Sequence, residues 1–215
     1  MDMKDKVLSI AEAEMKSGGS NKKEVWGSND GPQVRKYLES VGITWADQWC
    51  AAFVYFCINE VCKKKNIKNH YIRTGYCPDI ARWGKTNKVY SYEPERGDIF
   101  LLTDSHPTDP WFHTGFVLEK TSSASVKTIE GNTNNDGSSN GDGIYIRTRP
   151  LANIVFVKWW QLFSVDIGIS ILFDGKEICK GYKKDASTFV PIRELCEAMG
   201  YNVIWTNKEI IVQKK

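Results

Sequence analysis

The sequence predicts an α+β chain: helices packed on an antiparallel sheet, followed by a small C-terminal α+β unit. Three observations carry this. Apolar residues recur at helical spacing through the first third of the chain. From Ile99 the pattern changes to short β-branched and aromatic runs separated by turn residues, and a block of helices followed by a strand meander reads as α+β. From about Asp166 the style shifts again, with a hairpin signal at Asp174-Gly175 and a helix opened by Pro191.

Taken in order, Val7 to Met15 reads as a short amphipathic helix, and the Gly-rich loop Ser17-Gly18-Gly19-Ser20-Asn21 follows. Asp30-Gly31-Pro32 opens a second helix, with Pro32 in its first turn; Val34, Tyr37, Leu38 and Val41 form its apolar stripe and Gly42 ends it. A third helix starts near Asp47 or Gln48 and runs to about Val61, apolar nearly all round, as a central buried helix requires. Lys63-Lys64-Lys65 follows, where positive charge complements the helix dipole. A short helix is expected from Asp79 to Trp83. Strands are expected at Ile99 to Leu102, His113 to Leu118, Val126 to Asn132, Gly143 to Arg149 and Ile154 to Trp159. The division falls at 1–162 and 166–215. In the second unit Ile167 to Phe173 and Glu177 to Cys179 form a hairpin. A helix carrying Ile192, Leu195, Cys196 and Met199 comes next, and Asn202 to Trp205 pairs with Ile210 to Val212.

The 215 residues are 41% hydrophobic and 26% charged, enough to bury a core without covalent staples. The net charge of +3 lacks the dense Lys/Arg stripe of a nucleic-acid binder. No apolar stretch reaches membrane-span length, and acids interrupt the short apolar run after Met1, so no signal peptide is expected. The six cysteines make no C-x-x-C pair and no zinc pattern, and in a cytosolic protein they are reduced. Asn132-x-Asn134-x-Asp136-Gly137 partly follows calcium-loop spacing. Its first position is Asn and the position requiring Glu is Gly143, so a loop between strands explains it and no metal or other cofactor is expected.

One constellation carries chemistry. Cys50 falls in the first turn of the third helix, where the dipole and free N–H groups favour a thiolate; a small buried apolar cysteine is the structural alternative. Of the three histidines, His70 follows a Lys-rich turn and His106 sits in a Pro-rich loop. His113 opens a strand in which Gly115 allows close approach of a backbone or a substrate. Glu130 and Asn132 lie two apart on a strand, so both are expected to face an imidazole on the neighbouring strand and fix its tautomer. Trp45, Trp49, Trp83 and Trp111 are candidates to line a substrate groove; core packing is the default reading for Trp49 and Trp83, with Trp49 kept as a candidate substrate contact.

In wording and order these segments resemble the CHAP family of cysteine- and histidine-dependent amidohydrolases and peptidases. The resemblance runs through Asn29-Asp30-Gly31-Pro32, Trp49-Cys50-Ala51-Ala52-Phe53-Val54, Arg96-Gly97-Asp98-Ile99-Phe100, His113-Thr114-Gly115-Phe116-Val117 and Ile129-Glu130-Gly131-Asn132-Thr133, and closes on Gly141-Asp142-Gly143 with Arg147 and Arg149. It implies a papain-like fold. It also implies Cys50 as nucleophile, His113 as base, Glu130 as the polar residue behind it and Asn132 as support or substitute. Gln48 is then either a second oxyanion donor or simply a polar residue at a helix start.

The family resemblance implies hydrolysis of a peptidoglycan amide, in the manner of a phage endolysin on Gram-positive walls. The protein would be made in a host cytoplasm and act at the wall after release. A non-catalytic wall-binding or virion module on the same fold is the alternative. The C-terminal unit resembles the copper amine oxidase N-terminal-like domain through Phe173-Asp174-Gly175-Lys176, Thr188-Phe189-Val190-Pro191-Ile192-Arg193-Glu194-Leu195, Ala198-Met199-Gly200 and Val203-Ile204-Trp205. That implies an accessory, wall-binding module and no copper chemistry. Neither nucleic acid nor membrane is expected as partner, and the oligomeric state is left open.

Overall fold

A computed structural model describes residues 2–163, 169–184, 187–206 and 209–214. The chain divides into two compact units, Met1–Trp160 and Gln161–Lys215. The described residues form helices and antiparallel sheets, an α+β chain.

The first unit opens with α1 (Met3–Lys16), which starts ahead of the apolar pattern because Asp2 caps it, its carboxylate accepting the Asp5 N–H at 3.0 Å. Helix α2 (Pro32–Val41) begins on its proline and ends at Gly42, whose φ of +92° is the left-handed cap. Helix α3 (Cys50–Lys65) starts later than Asp47 or Gln48, so that Cys50 is its first residue, and the three lysines lie inside its last turn. Helix α4 (Cys77–Thr86) is longer than the expected Asp79–Trp83. Pro78 sets its first turn, a start signal that apolar periodicity alone does not register.

Six strands follow: β1 (Tyr90–Ser91), β2 (Ile99–Thr103), β3 (Trp111–Lys120), β4 (Ser125–Thr133), β5 (Gly143–Pro150) and β6 (Ile154–Val157). They form one antiparallel sheet in the order β1-β6-β2-β3-β4-β5. The two-residue β1 carries too little pattern to be read from sequence. The strand expected to reach Trp159 stops at Val157, and Trp159 instead turns into a 3-10 segment, its indole buried and donating to Gly97 O at 2.8 Å. Asp98 anchors the start of β2, accepting from the Glu95 N–H at 2.8 Å and the Trp160 indole at 2.9 Å. The Arg-Gly-Asp phrase before β2 is therefore structural.

Helix α3 packs against β3 and β4, and Gly131 permits it. A Cβ at Gly131 would lie 2.7 Å from Trp49 Cζ3 and 2.8 Å from Phe53 Cγ. Gly115 does the same between strands: a Cβ there would sit 2.5 Å from the Ile129 carbonyl oxygen. The close approach anticipated at Gly115 is thus to backbone. Beneath the sheet, Phe100, Val117, Val126, Ile154 and Phe156 make a wholly apolar cluster.

The second unit contains β7 (Ile169–Phe173), β8 (Lys176–Lys184) and β9 (Ser187–Phe189) as an antiparallel sheet, then α5 (Ile192–Ala198) and the hairpin β10 (Tyr201–Trp205) with β11 (Ile210–Lys214). The start expected at Ile167, and the linker around Asp166, lie outside the described residues. Asp174 and Gly175 both have positive φ, +49° and +77°, as the two-residue hairpin turn demands. Strand β9 was not anticipated.

Candidate active site

Cys50 opens α3, so its thiol lies where the helix's unpaired N–H groups and dipole favour negative charge. The side chain is almost wholly buried against the sheet. His113, third residue of β3, is fully buried and sits beside the Phe100 ring, centroids 6.2 Å apart. Its Nε2 bonds Glu130 Oε2 at 2.9 Å. Its Nδ1 is buried and has no hydrogen bond of normal geometry, so it is the nitrogen left to address Cys50. Each of Cys50 and His113 shifts the other's titration through hydrogen bonding and charge.

Behind the imidazole, Glu130 is held from three sides. Arg149, on β5, donates Nε to Oε1 at 2.9 Å and Nη2 to Oε2 at 2.6 Å, and Thr128 Oγ1 donates to Oε1 at 2.5 Å. Burial alone raises a carboxyl pKa, yet the Arg149 bonds and the adjacent imidazolium overcome it and hold Glu130 down at about 2. Burial likewise opposes charge on His113, but the bonds and charges of Cys50 and Glu130 lift it from 6.5 to about 9. The chain Arg149–Glu130–His113–Cys50, half-buried at its arginine and buried thereafter, therefore alternates in charge from guanidinium to thiolate.

A second cysteine completes the site. Cys77 opens α4 as Cys50 opens α3, and the two sulfurs are 3.7 Å apart. The hydrogen bond from the Cys77 thiol is the largest influence lowering the Cys50 pKa well below its usual value, ahead of the opposing burial. The same bond, with burial and the neighbouring charge, pushes Cys77 well up, so Cys77 stays a thiol and donates. Both cysteines line a pocket of about 240 Å³ that also takes in Gln48, Tyr76, Asp109 and Trp111.

The expected site residues separate on this geometry. The structure brings Cys50, His113 and Glu130 together, and Gln48 stands exposed at the mouth of the same pocket. Asn132 does not face the imidazole. Its φ of +57° breaks the strand's alternation where the β4–β5 register shifts. In the amide orientation that satisfies both ends it donates to Gly141 O at 2.9 Å and Asn29 Oδ1 at 3.2 Å, and accepts the Trp49 N–H at 3.2 Å. It thereby ties down the residue that caps α3. Trp49 as a substrate contact is corrected: its indole is wholly buried, stacked on Tyr37 at 5.5 Å and bonded to Glu24 at 2.9 Å. Trp83 packs on Tyr71, Trp45 is exposed, and Trp111 alone of the four lines the pocket. In the calcium-like stretch, Asn134 Oδ1 accepts the N–H groups of Asp136 and Ser138, both at 3.0 Å, an Asx-type loop.

Sequence reasoning gave no role to Cys77, Arg149 or Thr128. Thr128 was readable as the i−2 neighbour of Glu130 on one strand face. Pro78 marked the helix start that puts Cys77 opposite Cys50.

Residues 42–132, within the first unit, match the family described as the CHAP domain. That family comprises amidases and peptidases of the peptidoglycan-hydrolase type, generally cysteine- and histidine-dependent. No curated protein and no solved structure gives a significant match to the chain.

Proposed function

We propose that the chain is an endolysin-type peptidoglycan hydrolase whose Cys50 thiolate cleaves an amide bond. The single observation that carries the reading is the hydrogen-bonded chain Arg149–Glu130–His113 ending on Cys50, which lines an open pocket. The Cys50 thiolate attacks the amide carbonyl while His113 holds the proton. The tetrahedral oxyanion takes donors from the Cys50 backbone N–H and from the Gln48 side-chain amide at the pocket mouth. His113 protonates the leaving amine, and water releases the acyl-enzyme. Glu130 keeps the ring oriented and stabilises imidazolium, a role like that of the acid in a serine triad.

The bond is the N-acetylmuramoyl-L-alanine amide or a peptide bond of the stem or cross-bridge, in a wall of Gram-positive type. On this reading the enzyme acts on the wall after release from the cytoplasm in which it is made. The C-terminal unit serves as an accessory wall-binding module, a role supported by its exposed Trp205, Phe173 and Leu172. Wild type and Cys50→Ala are compared for loss of turbidity of purified walls, with mass spectrometry of released fragments and labelling by a thiol probe near neutral pH. Clearing by wild type alone, with new amine or muramoyl ends, supports the reading and names the bond. Clearing by both, or a Cys50 inert to the probe, rejects it.

A further inference from the structure

The amide-cleavage mechanism needs one cysteine, yet the pocket holds two. Two helix starts converge so that their first side chains, Cys50 and Cys77, meet at 3.7 Å. A disulfide is about 2.05 Å long, so closure asks for about 1.7 Å of approach, shared between two side chains. Both cysteines line the open pocket, whose volume of about 240 Å³ has room for a peroxide molecule. Of the other cysteines in this unit, Cys57 and Cys62 are buried further along α3 and line no part of that pocket.

We propose that Cys50 and Cys77 are an oxidation site: peroxide converts them to a disulfide that stores the nucleophile in an inactive, recoverable form. The loss of activity, though not the disulfide itself, rests on Cys50 being the nucleophile. In the first step the Cys50 thiolate attacks one peroxide oxygen and the O–O bond breaks, giving Cys50 sulfenic acid and hydroxide, which leaves as water with the proton held by His113. In the second, the Cys77 sulfur attacks the Cys50 sulfur; the S–O bond breaks, the S–S bond forms, and the sulfenic oxygen departs as water with the Cys77 proton. Two thiols and one peroxide become one disulfide and two waters, and a dithiol reverses the change.

The electrostatics of the pair suit this order. While Cys50 is a thiolate, its charge and its hydrogen bond keep Cys77 protonated and spectator-like. Sulfenylation removes that charge and so relaxes the upward push that the thiolate exerts on Cys77. The second sulfur is thus released for attack by the event that calls for it. Capture as a disulfide also halts the climb of Cys50 to the irreversible sulfinic and sulfonic acids.

The test treats the full-length protein with hydrogen peroxide, blocks remaining thiols, and maps cysteine peptides by mass spectrometry. Wall clearing is followed before oxidation, after it, and after dithiothreitol. The expected result is a Cys50–Cys77 linked peptide, loss of clearing, and recovery of most of it on reduction. In Cys77→Ser the expected result is peroxide inactivation without recovery, with Cys50 found as sulfinic acid. A Cys77 still open to alkylation in inactivated wild type overturns the proposal, as does equal recovery in wild type and Cys77→Ser. If the reduced wild type clears no wall, the hydrolase reading fails by itself, and the linked peptide still decides the disulfide.

Discussion

The two units bury different things. The first encloses Lys23, Asp98, His113, Glu130 and Asn132, each nearly or wholly out of water and each with partners. Lys23, for instance, spends its ammonium on the carbonyls of Met15, Ser17 and Ser20 at 2.6 to 3.1 Å, closing the end of α1. In the second unit the described residues bury Cys179 and Val203, while Trp205, Leu172, Met199 and Ile204 stand in solvent. Shifting a thiol or an imidazole needs fixed charges held where water cannot screen them. Among the described residues only the first unit offers that, whereas the second offers apolar area of the kind that meets another surface. Substitutions in the first unit are expected to act on rate and on pH, and those in the second on retention at the wall.

The largest effect belongs to Cys50→Ala. It removes the sulfur proposed to attack while leaving the hydrogen bonds of Arg149, Glu130 and His113 in place, so wall clearing is expected to fall by at least about 10³-fold while circular dichroism stays unchanged. Clearing within tenfold of wild type would remove the nucleophile assignment and with it the contrast between the units.

Next is Glu130→Gln, which keeps the shape and deletes the charge. The rate is expected to fall about 10²- to 10⁴-fold, as when a triad acid becomes an amide. The pH profile sharpens this. His113 has a folded pKa of about 9 against an ordinary 6.5, so its imidazolium stabilises the fold in full below pH 6.5, and the charge itself is lost only as pH rises through 9. Wild-type activity is therefore expected to decline on the alkaline side near pH 9, and Glu130→Gln to bring that limb toward neutrality. An unmoved limb would mean that Glu130 does not sustain the imidazolium.

How legible this was depends on how local each signal is. Cys50, His113 and Glu130 sit in short phrases whose neighbours share their element, and strand periodicity was enough to aim Glu130 at His113. The same periodicity failed two residues later, because a left-handed residue at Asn132 and a register shift turn the chain away from the imidazole. Arg149 reaches Glu130 through β4–β5 pairing, 19 residues along the chain, and Cys77 reaches Cys50 across 27. Such contacts are set by how helices and strands pack, and no window of sequence contains both partners. Trp49 was misjudged because an indole beside a nucleophile serves a groove or a core equally well in sequence; Gly131, which leaves room for the ring beneath the helix, decides it.

Arg149→Met comes third. It strands a buried carboxylate, which costs about 3–5 kcal/mol when one partner of a buried pair is removed. In wild type, Glu130 has a folded pKa of about 2 against 4.5. Its contribution to stability is complete above pH 4.5 and drains away as pH falls toward 2. Without the guanidinium the folded pKa rises, and that protection disappears at a higher pH. Urea unfolding at pH 7 and pH 4 checks both: the variant should lose several kcal/mol at pH 7 and lose less on going to pH 4 than wild type does. A variant as stable as wild type at both values would show that Thr128 and His113 suffice to hold Glu130.

The smallest catalytic effect is expected from Trp205→Ala in the second unit. The indole is 55% exposed on β10. Its removal takes nothing from the buried charges that prepare Cys50, so turnover of a small soluble wall fragment should stay within about twofold of wild type, as for a surface change away from any cap or core. Retention on insoluble walls, measured by co-sedimentation, should drop, because aromatic side chains supply much of the energy where they anchor an interface. Unchanged retention would leave this face of the unit without a wall-binding role. A fall in turnover of the soluble fragment equal to the fall in retention would break the division of labour, since it would mean that the second unit reaches the chemistry of the first.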